Sequence, residues 1–176
     1  DGKWIAFSMF KPQKGNSIFK DMPKKPKGAK WAGKATYIDQ MNYRNDGGGF
    51  VKPGFSHIYV VPSSGGTPRQ VTQGDYHHGG NIGWSKNGKY IFIDGDRHED
   101  WQDRPLESDI YRVDVATGET INITQRGGPD ARPVLNPQRD KIAYMKVEDR
   151  KLSSQNADLY VMNLDGSKPT NLTEKL

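Results

Sequence analysis

Short runs of β-branched and aromatic residues recur along this chain, each bounded by Gly, Asn, Asp or Pro. The clearest is Trp84-Ser85-Lys86-Asn87-Gly88-Lys89-Tyr90-Ile91-Phe92. It reads as strand, two-residue turn, strand, because Asn-Gly favours the positive φ that both central residues of such a turn need. Tyr90, Ile91, Phe92 and Ile93 have the side chains that strands favour. The pattern has two echoes, Asp1-Gly2-Lys3-Trp4-Ile5-Ala6-Phe7 and Arg139-Asp140-Lys141-Ile142-Ala143-Tyr144. After each comes a second apolar run: His57–Val61, Asp109–Val115 and Asp158–Leu164. The anchors Ile58, Ile110 and Leu159 lie 52 and 49 residues apart. Each run ends in a glycine turn at Gly65-Gly66, Gly118 or Gly166. A short last strand follows, through Val71, Ile121 or Leu172.

Each unit therefore predicts four strands, with opening strands at Asn81–Ser85 and Arg132–Leu135 and none for the first unit. Four-stranded units repeating at roughly 40–50 residues are propeller blades, because one such sheet cannot cover both its faces. Stacking them buries Trp84, Phe92, Tyr111 and their equivalents between neighbours. The expected fold is all-β: a partial β-propeller of about three four-stranded antiparallel blades, the first lacking its first strand. The predicted units are 1–72, with a long loop insertion at 9–56, then 73–124 and 125–176. Propellers use about 4–8 blades, so three cannot close a ring, and the expectation is a piece of a larger propeller. A free-standing β-sandwich is the alternative, but it does not require the threefold echo.

Composition sharpens this. Hydrophobic residues make up only 33% of the chain, and it holds 20 Gly and 11 Pro, which suits short strands and many turns. With no cysteine there is neither disulfide nor thiolate chemistry, and the compartment, cytoplasmic or periplasmic, stays open. No apolar run is long enough for a membrane-spanning helix. The net charge of +5 is unevenly placed: residues 11–34 hold eight lysines and one acid, so the remainder is about −2. That is one basic loop, with no nucleic-acid-binding motif beside it. Lys24-Lys25-Pro26-Lys27 reads as its solvated tip.

The order of motifs carries a resemblance. Trp31-Ala32, Asn42-Tyr43-Arg44-Asn45-Asp46-Gly47-Gly48-Gly49-Phe50 and Gly65-Gly66-Thr67-Pro68-Arg69-Gln70-Val71-Thr72 are followed by Gly74-Asp75-Tyr76-His77-His78-Gly79-Gly80 and Trp84-Ser85. The units resemble TolB-like blades. More closely, the chain resembles the N-terminal propeller of the prolyl oligopeptidase family of serine peptidases, in its bacterial dipeptidyl-aminopeptidase and acylaminoacyl-peptidase branch. Lys86 departs from the usual blade proline. The resemblance implies Ser-Asp-His hydrolysis by an α/β-hydrolase domain that follows the propeller. Gly54-Phe55-Ser56-His57-Ile58 and Gly83-Trp84-Ser85-Lys86-Asn87 lack the closing glycine of a nucleophile elbow. This chain by itself is therefore expected to be inactive, with no catalytic residue of its own. The implied partners are that hydrolase domain, the remaining blades and a peptide substrate, with no cofactor, nucleic acid or membrane. A TolB-like propeller that binds a protein partner is the alternative.

Antiparallel alternation puts the connections from second to third strand and from blade to blade on one face, where the tethers to a hydrolase would also emerge. Function is expected in loops 9–56, 73–80 and 94–107. Candidate substrate-positioning residues are Tyr43, Arg44 and Asp46 on the first loop and Arg97 and Trp101 on the last. Arg44 carries a planar guanidinium suited to a carbonyl or carboxylate, or else pairs structurally with Asp46 or Asp39. Tyr37–Tyr43 reads as a short strand or helical turn. Asp94–Asp100 is dense in oxygen ligands but lacks calcium-loop spacing, and reads as a solvated acidic turn or an interface. Asp75, His77 and His78 suggest a metal pair, yet adjacent residues of an extended chain face opposite sides. One histidine is expected to pack and the other to face water. Asn122-Ile123-Thr124 and Asn171-Leu172-Thr173 match glycosylation sequons but fall at last-strand ends, which makes them structural.

Overall fold

The computed structural model of the chain describes residues 2–17, 23–33, 35–124, 127–148 and 154–175. All regular structure in those residues is β. The first sheet orders β1 (Trp4–Pro12), β4 (Gly54–Pro62) and β5 (Arg69–Gln70). The second orders β6 (Gly79–Trp84), β7 (Tyr90–Gly95), β8 (Asp109–Asp114) and β9 (Thr120–Asn122). The third orders β10 (Asp130–Leu135), β11 (Lys141–Lys146), β12 (Asp158–Asn163) and β13 (Thr170–Asn171). A two-stranded ribbon, β2 (Arg44–Asn45) with β3 (Gly49–Phe50), stands in the long connection of the first sheet. Every pairing is antiparallel. The chain is a partial β-propeller of three blades that does not close, and the first blade has no strand inside β1.

Side-chain alternation welds the blades together. On β7, Ile91 and Ile93 face the first blade and pack with Ile58, Val60 and Val71. Phe92, between them, faces the third blade and packs with Ile142, Tyr144 and Met162. On β8, Tyr111 and Val113 join the first core, and Ile110 joins the second. Phe92, Ile91, Ile93 and Ile110 are all fully buried. Each such side chain contributes about 1.5–3 kcal/mol of transfer free energy, so these two seams are the chief cohesive element.

Turn glycines fix how closely the blades stack. Gly118 (φ +79°) lies against the preceding blade, where a Cβ would come within 2.6 Å of the Val71 carbonyl oxygen. Gly166 (φ +84°) repeats this one blade on, at 2.0 Å from the Ile123 carbonyl oxygen. Gly118→Ala is expected to cost about 2–4 kcal/mol, from left-handed backbone strain plus the clash. Chemical denaturation would measure it; a loss below 0.5 kcal/mol, roughly a neutral surface change, would show that the blades are not held this tightly.

Four sequence expectations are corrected. The long insertion does not run 9–56, because β1 and β4 stay paired from Trp4↔Pro62 to Pro12↔Gly54. That moves it to 13–53. Gly54 permits the extension: a Cβ there would lie 2.3 Å from the Lys11 carbonyl oxygen. Tyr37–Tyr43 is neither strand nor helical turn; the hairpin forms one step later, around Asp46-Gly47-Gly48, with positive φ at Gly47 and Gly49. The Asn87-Gly88 turn needs positive φ only at Gly88. Gly88 N–H donates to the Ser85 carbonyl (3.0 Å), while Asn87 Oδ1 accepts from Ser85 Oγ (2.8 Å) and Lys89 N (3.1 Å). Those bonds hold a wider turn with a single left-handed residue, a role Arg139 (φ +58°) takes in the third blade. The opening strands also begin two residues earlier than expected, at Gly79 and Asp130. Of the lysine stretch, residues 18–22 and Lys34 lie outside the described residues, and Lys24, Lys25 and Lys27 are exposed. Asp1 and the opening Gln125-Arg126 of the third unit also lie outside them.

Candidate functional site

The hairpins lie at one end of the strands, and the connections 13–53, 73–78 and 96–108 lie at the other. Direct bonds tie these three together. Arg97 Nη1 donates to the Gln73 carbonyl (3.2 Å), Gln13 Nε2 to Asp75 Oδ1 (2.9 Å), and Met41 N to Gln102 Oε1 (3.0 Å).

A polar clasp recurs under this face. Asp109 opens β8 with no exposed surface. Its Oδ1 accepts from Thr124 Oγ1 (3.0 Å), and its Oδ2 accepts from Asn122 Nδ2 (2.9 Å) and meets His98 Nε2 (2.6 Å). Thr124 Oγ1 in turn accepts from Ile110 N (2.9 Å). In the third blade Thr173 Oγ1 donates to Asp158 (3.1 Å) and accepts from Leu159 N (3.0 Å). Both Asn-x-Thr sequons are thus structural, as expected. In the first blade His57 stands where the others have Asp, and Gln70 where they have Asn.

That exchange starts a cluster at the seam between blades one and two. His57 and His78 are buried, with rings stacked at 5.3 Å. Burial first, then the Arg97 guanidinium and His57, push the His78 pKa down to about 3, so its imidazole is neutral. Nδ1 meets the Ser56 carbonyl (3.3 Å) and Nε2 meets Arg97 Nη1. A neutral ring donating from Nδ1 and accepting at Nε2 satisfies both; this tautomer is assigned from the partners. Arg97 also donates to the Gln73 carbonyl (3.2 Å) and lies between the rings of Tyr76 (5.2 Å) and Tyr111 (5.9 Å). Desolvation lowers the Arg97 pKa and raises that of Tyr111. No carboxylate pairs with Arg97 among the described residues.

Trp101 closes the outer side. Its ring meets Phe55 and His77 edge-on, each at 6.1 Å, and Phe55 and His77 lie 5.1 Å apart. His78 turns inward and His77 outward, as alternation requires, and His77 is exposed. Among the described residues no group of three or more His, Asp or Glu is arranged to hold a metal ion. Two acids of the run 94–100 bond internally: Asp94 Oδ2 accepts from Arg132 N (3.0 Å), and Asp96 Oδ1 from His98 N (3.0 Å).

The five candidates thus fall into two groups. Arg97 and Trp101 share the seam cluster. Tyr43, Arg44 and Asp46 sit on the exposed β2–β3 hairpin, where Arg44 is paired across the ribbon with Phe50. The alternative ion pair of Arg44 with Asp46 or Asp39 does not form among the described residues; Asp39 instead accepts from Asn16. Sequence reading missed His57 and Gln70. The available signal was the break in the Asp and Asn-x-Thr repeat.

The dipeptidyl peptidase IV (DPP IV) N-terminal region model matches residues 29–145. An uncharacterized protein of Agrobacterium fabrum is 29% identical over 126 residues, covering 70% of this chain and 38% of that protein. Among solved structures, a putative TolB from Agrobacterium tumefaciens aligns with TM-score 0.51 and 28% identity, over 68% of this chain and 38% of that one. An oligogalacturonate lyase in complex with manganese aligns with TM-score 0.51 at 19% identity, over 69% of this chain and 36% of that one, a likeness of fold alone. The chain thus spans well under half the length of these relatives. With the blade repeat and the family match over most of its length, it belongs to the dipeptidyl peptidase IV N-terminal region family.

Proposed function

We propose that this chain is a non-catalytic propeller segment of a serine exopeptidase of dipeptidyl- or acylaminoacyl-peptidase type. Its loops 13–53, 73–78 and 96–108 gate and position peptide for an α/β-hydrolase domain elsewhere in the protein. One observation carries this reading beyond family membership: a desolvated guanidinium, Arg97, bonded to His78 and with no acid partner among the described residues, while the adjoining His77 joins Phe55 and Trp101 in an aromatic wall. A half-buried, weakly hydrated guanidinium suits a substrate carbonyl, and the aromatic wall suits an apolar side chain. Tyr43, Arg44 and Asp46, on their exposed hairpin, are assigned the outer approach to the same face.

In the full-length protein, Arg97→Ala and Trp101→Ala are each expected to raise KM for a chromogenic peptide substrate about tenfold while kcat changes little, as lost ground-state binding requires. An unchanged kcat/KM in both folded variants overturns the positioning role. The second reading, a TolB-like module that binds a protein partner, draws on the 28% identity with the putative TolB and on the exposed Trp31, Met41, Tyr43 and Phe50. Absence of peptidase activity from the full-length protein would favour it.

A further inference from the structure

The broken clasp of the first blade borders a cavity of about 330 Å³. Lys11, Gln13, His57, Gln70, Gln73 and Asp75 line it. Two of these, His57 and Gln70, occupy the positions that hold Asp and Asn in both later blades. Thr72 keeps its half of the clasp, accepting from Ile58 N (2.9 Å) as Thr124 does from Ile110. The acid half is gone, and Thr72 Oγ1 meets His57 Nδ1 at 3.4 Å. The fold therefore builds this corner twice with a carboxylate and once without.

With no carboxylate at position 57, this corner holds two cations, Lys11 and the Arg97 guanidinium behind it, against one anion, Asp75. Lys11 Nζ donates to a neutral acceptor, Gln70 Oε1 (3.0 Å), and no carboxylate pairs with it among the described residues. Asp75 keeps its charge but is held aside by a hydrogen bond from Gln13 Nε2 (2.9 Å). Burial holds His57 below its ordinary pKa, with Lys11, His77 and Arg97 adding to the effect and Asp75 opposing it. Arg97 stands one layer behind, bonded to the carbonyl of Gln73. The side-chain amide of Gln73 makes no hydrogen bond among the described residues.

We propose that this cavity binds a carboxylate, with Lys11 Nζ as its ion-pair partner and the Gln73 amide as a further donor. Charge-assisted hydrogen bonds of this kind are the strong ones, and the size suits a small ligand. The carboxylate belongs either to the free C-terminus of a short peptide or to a free small acid. Only the peptide source rests on the exopeptidase reading; the carboxylate chemistry stands without it.

Calorimetric titration of the full-length protein with N-acetylglycine, N-acetylglycinamide and propionate tests the site without any catalytic turnover. N-acetylglycine is expected to bind and its amide not to. Lys11→Met is expected to weaken binding on the order of tenfold, the scale of one hydrogen bond to a charged group. His57→Asp with Gln70→Asn, which rebuilds the clasp of the other blades, is expected to keep the fold and abolish binding. Propionate binding as well as N-acetylglycine assigns the site to free acids; weaker propionate binding assigns it to peptide ends. Equal binding of acid and amide, no binding of either acid, or unchanged affinity in Lys11→Met overturns the proposal. Loss of peptidase positioning in the Arg97 and Trp101 variants is a separate result, which leaves this one standing or falling by itself.

Discussion

Asp109→Ala is expected to lower the unfolding free energy by about 3–5 kcal/mol, among the largest losses of any single polar substitution in the chain. The carboxylate is fully buried and meets three side chains from two segments: His98 on one, Asn122 and Thr124 on the other. Truncation removes the acceptor from all three; the exposed Asn122 can turn to water, but the half-buried His98 and Thr124 lose theirs, at about 1–3 kcal/mol each. The repeat supplies an internal control. Asp158, the equivalent residue of the third blade, is only half-buried and holds Thr173 alone among the described residues. Asp158→Ala is expected to cost about 1 kcal/mol, the ordinary net value of one hydrogen bond. Urea denaturation of both variants would measure the difference; equal losses would mean that burial is not what gives Asp109 its weight.

Acid should destabilise the folded state through His78. Its folded pKa, about 3, lies below the ordinary 6.5. Between those values the unfolded chain takes up a proton that the folded chain refuses. The stability from keeping His78 neutral is therefore complete above about pH 6.5 and is lost as pH falls toward 3. At about 1.4 kcal/mol per pKa unit, the full loss is about 3–5 kcal/mol. Desolvation lowers the pKa of the buried His57 and of His77, whose ring is partly covered by Phe55 and Trp101, in the same direction. His78→Gln keeps a neutral polar side chain and removes the titration. Its stability, measured from pH 7 to pH 4, should fall less steeply than that of the unaltered protein. Identical slopes would mean that the buried imidazole carries a charge.

Much of this architecture is written in the chain because the blade is a local unit. Alternation, turn glycines and the Asp-to-Thr spacing are each set within about 50 residues. That is why the strands through Ile91, Ile110 and Ile142 are legible in the amino-acid pattern alone. The loop residues follow different rules. Nothing in the local sequence shows that Met9–Pro12 pairs with Gly54–His57, because that register spans the whole insertion. Arg97 and Trp101 are identifiable as candidates from their loop, but their partners His78 and His77 come from another connection and from a contact between blades. The carboxylate cavity escaped because its signal is a missing residue type: a histidine where the pattern asks for aspartate.

The glycine turns have one more consequence, for the order of events at the ribosome. Gly118 rests on the carbonyl of Val71, and Gly166 on that of Ile123, so each unit is seated on a surface completed by the unit before it. In these two turns the dependence runs from earlier residues to later ones, although the seam cores themselves are shared. A nascent chain emerging from its N-terminal end therefore finishes each platform before the turn that must land on it is made. Deletions from the C-terminal side remove a tenant, whereas deletions from the N-terminal side remove a foundation.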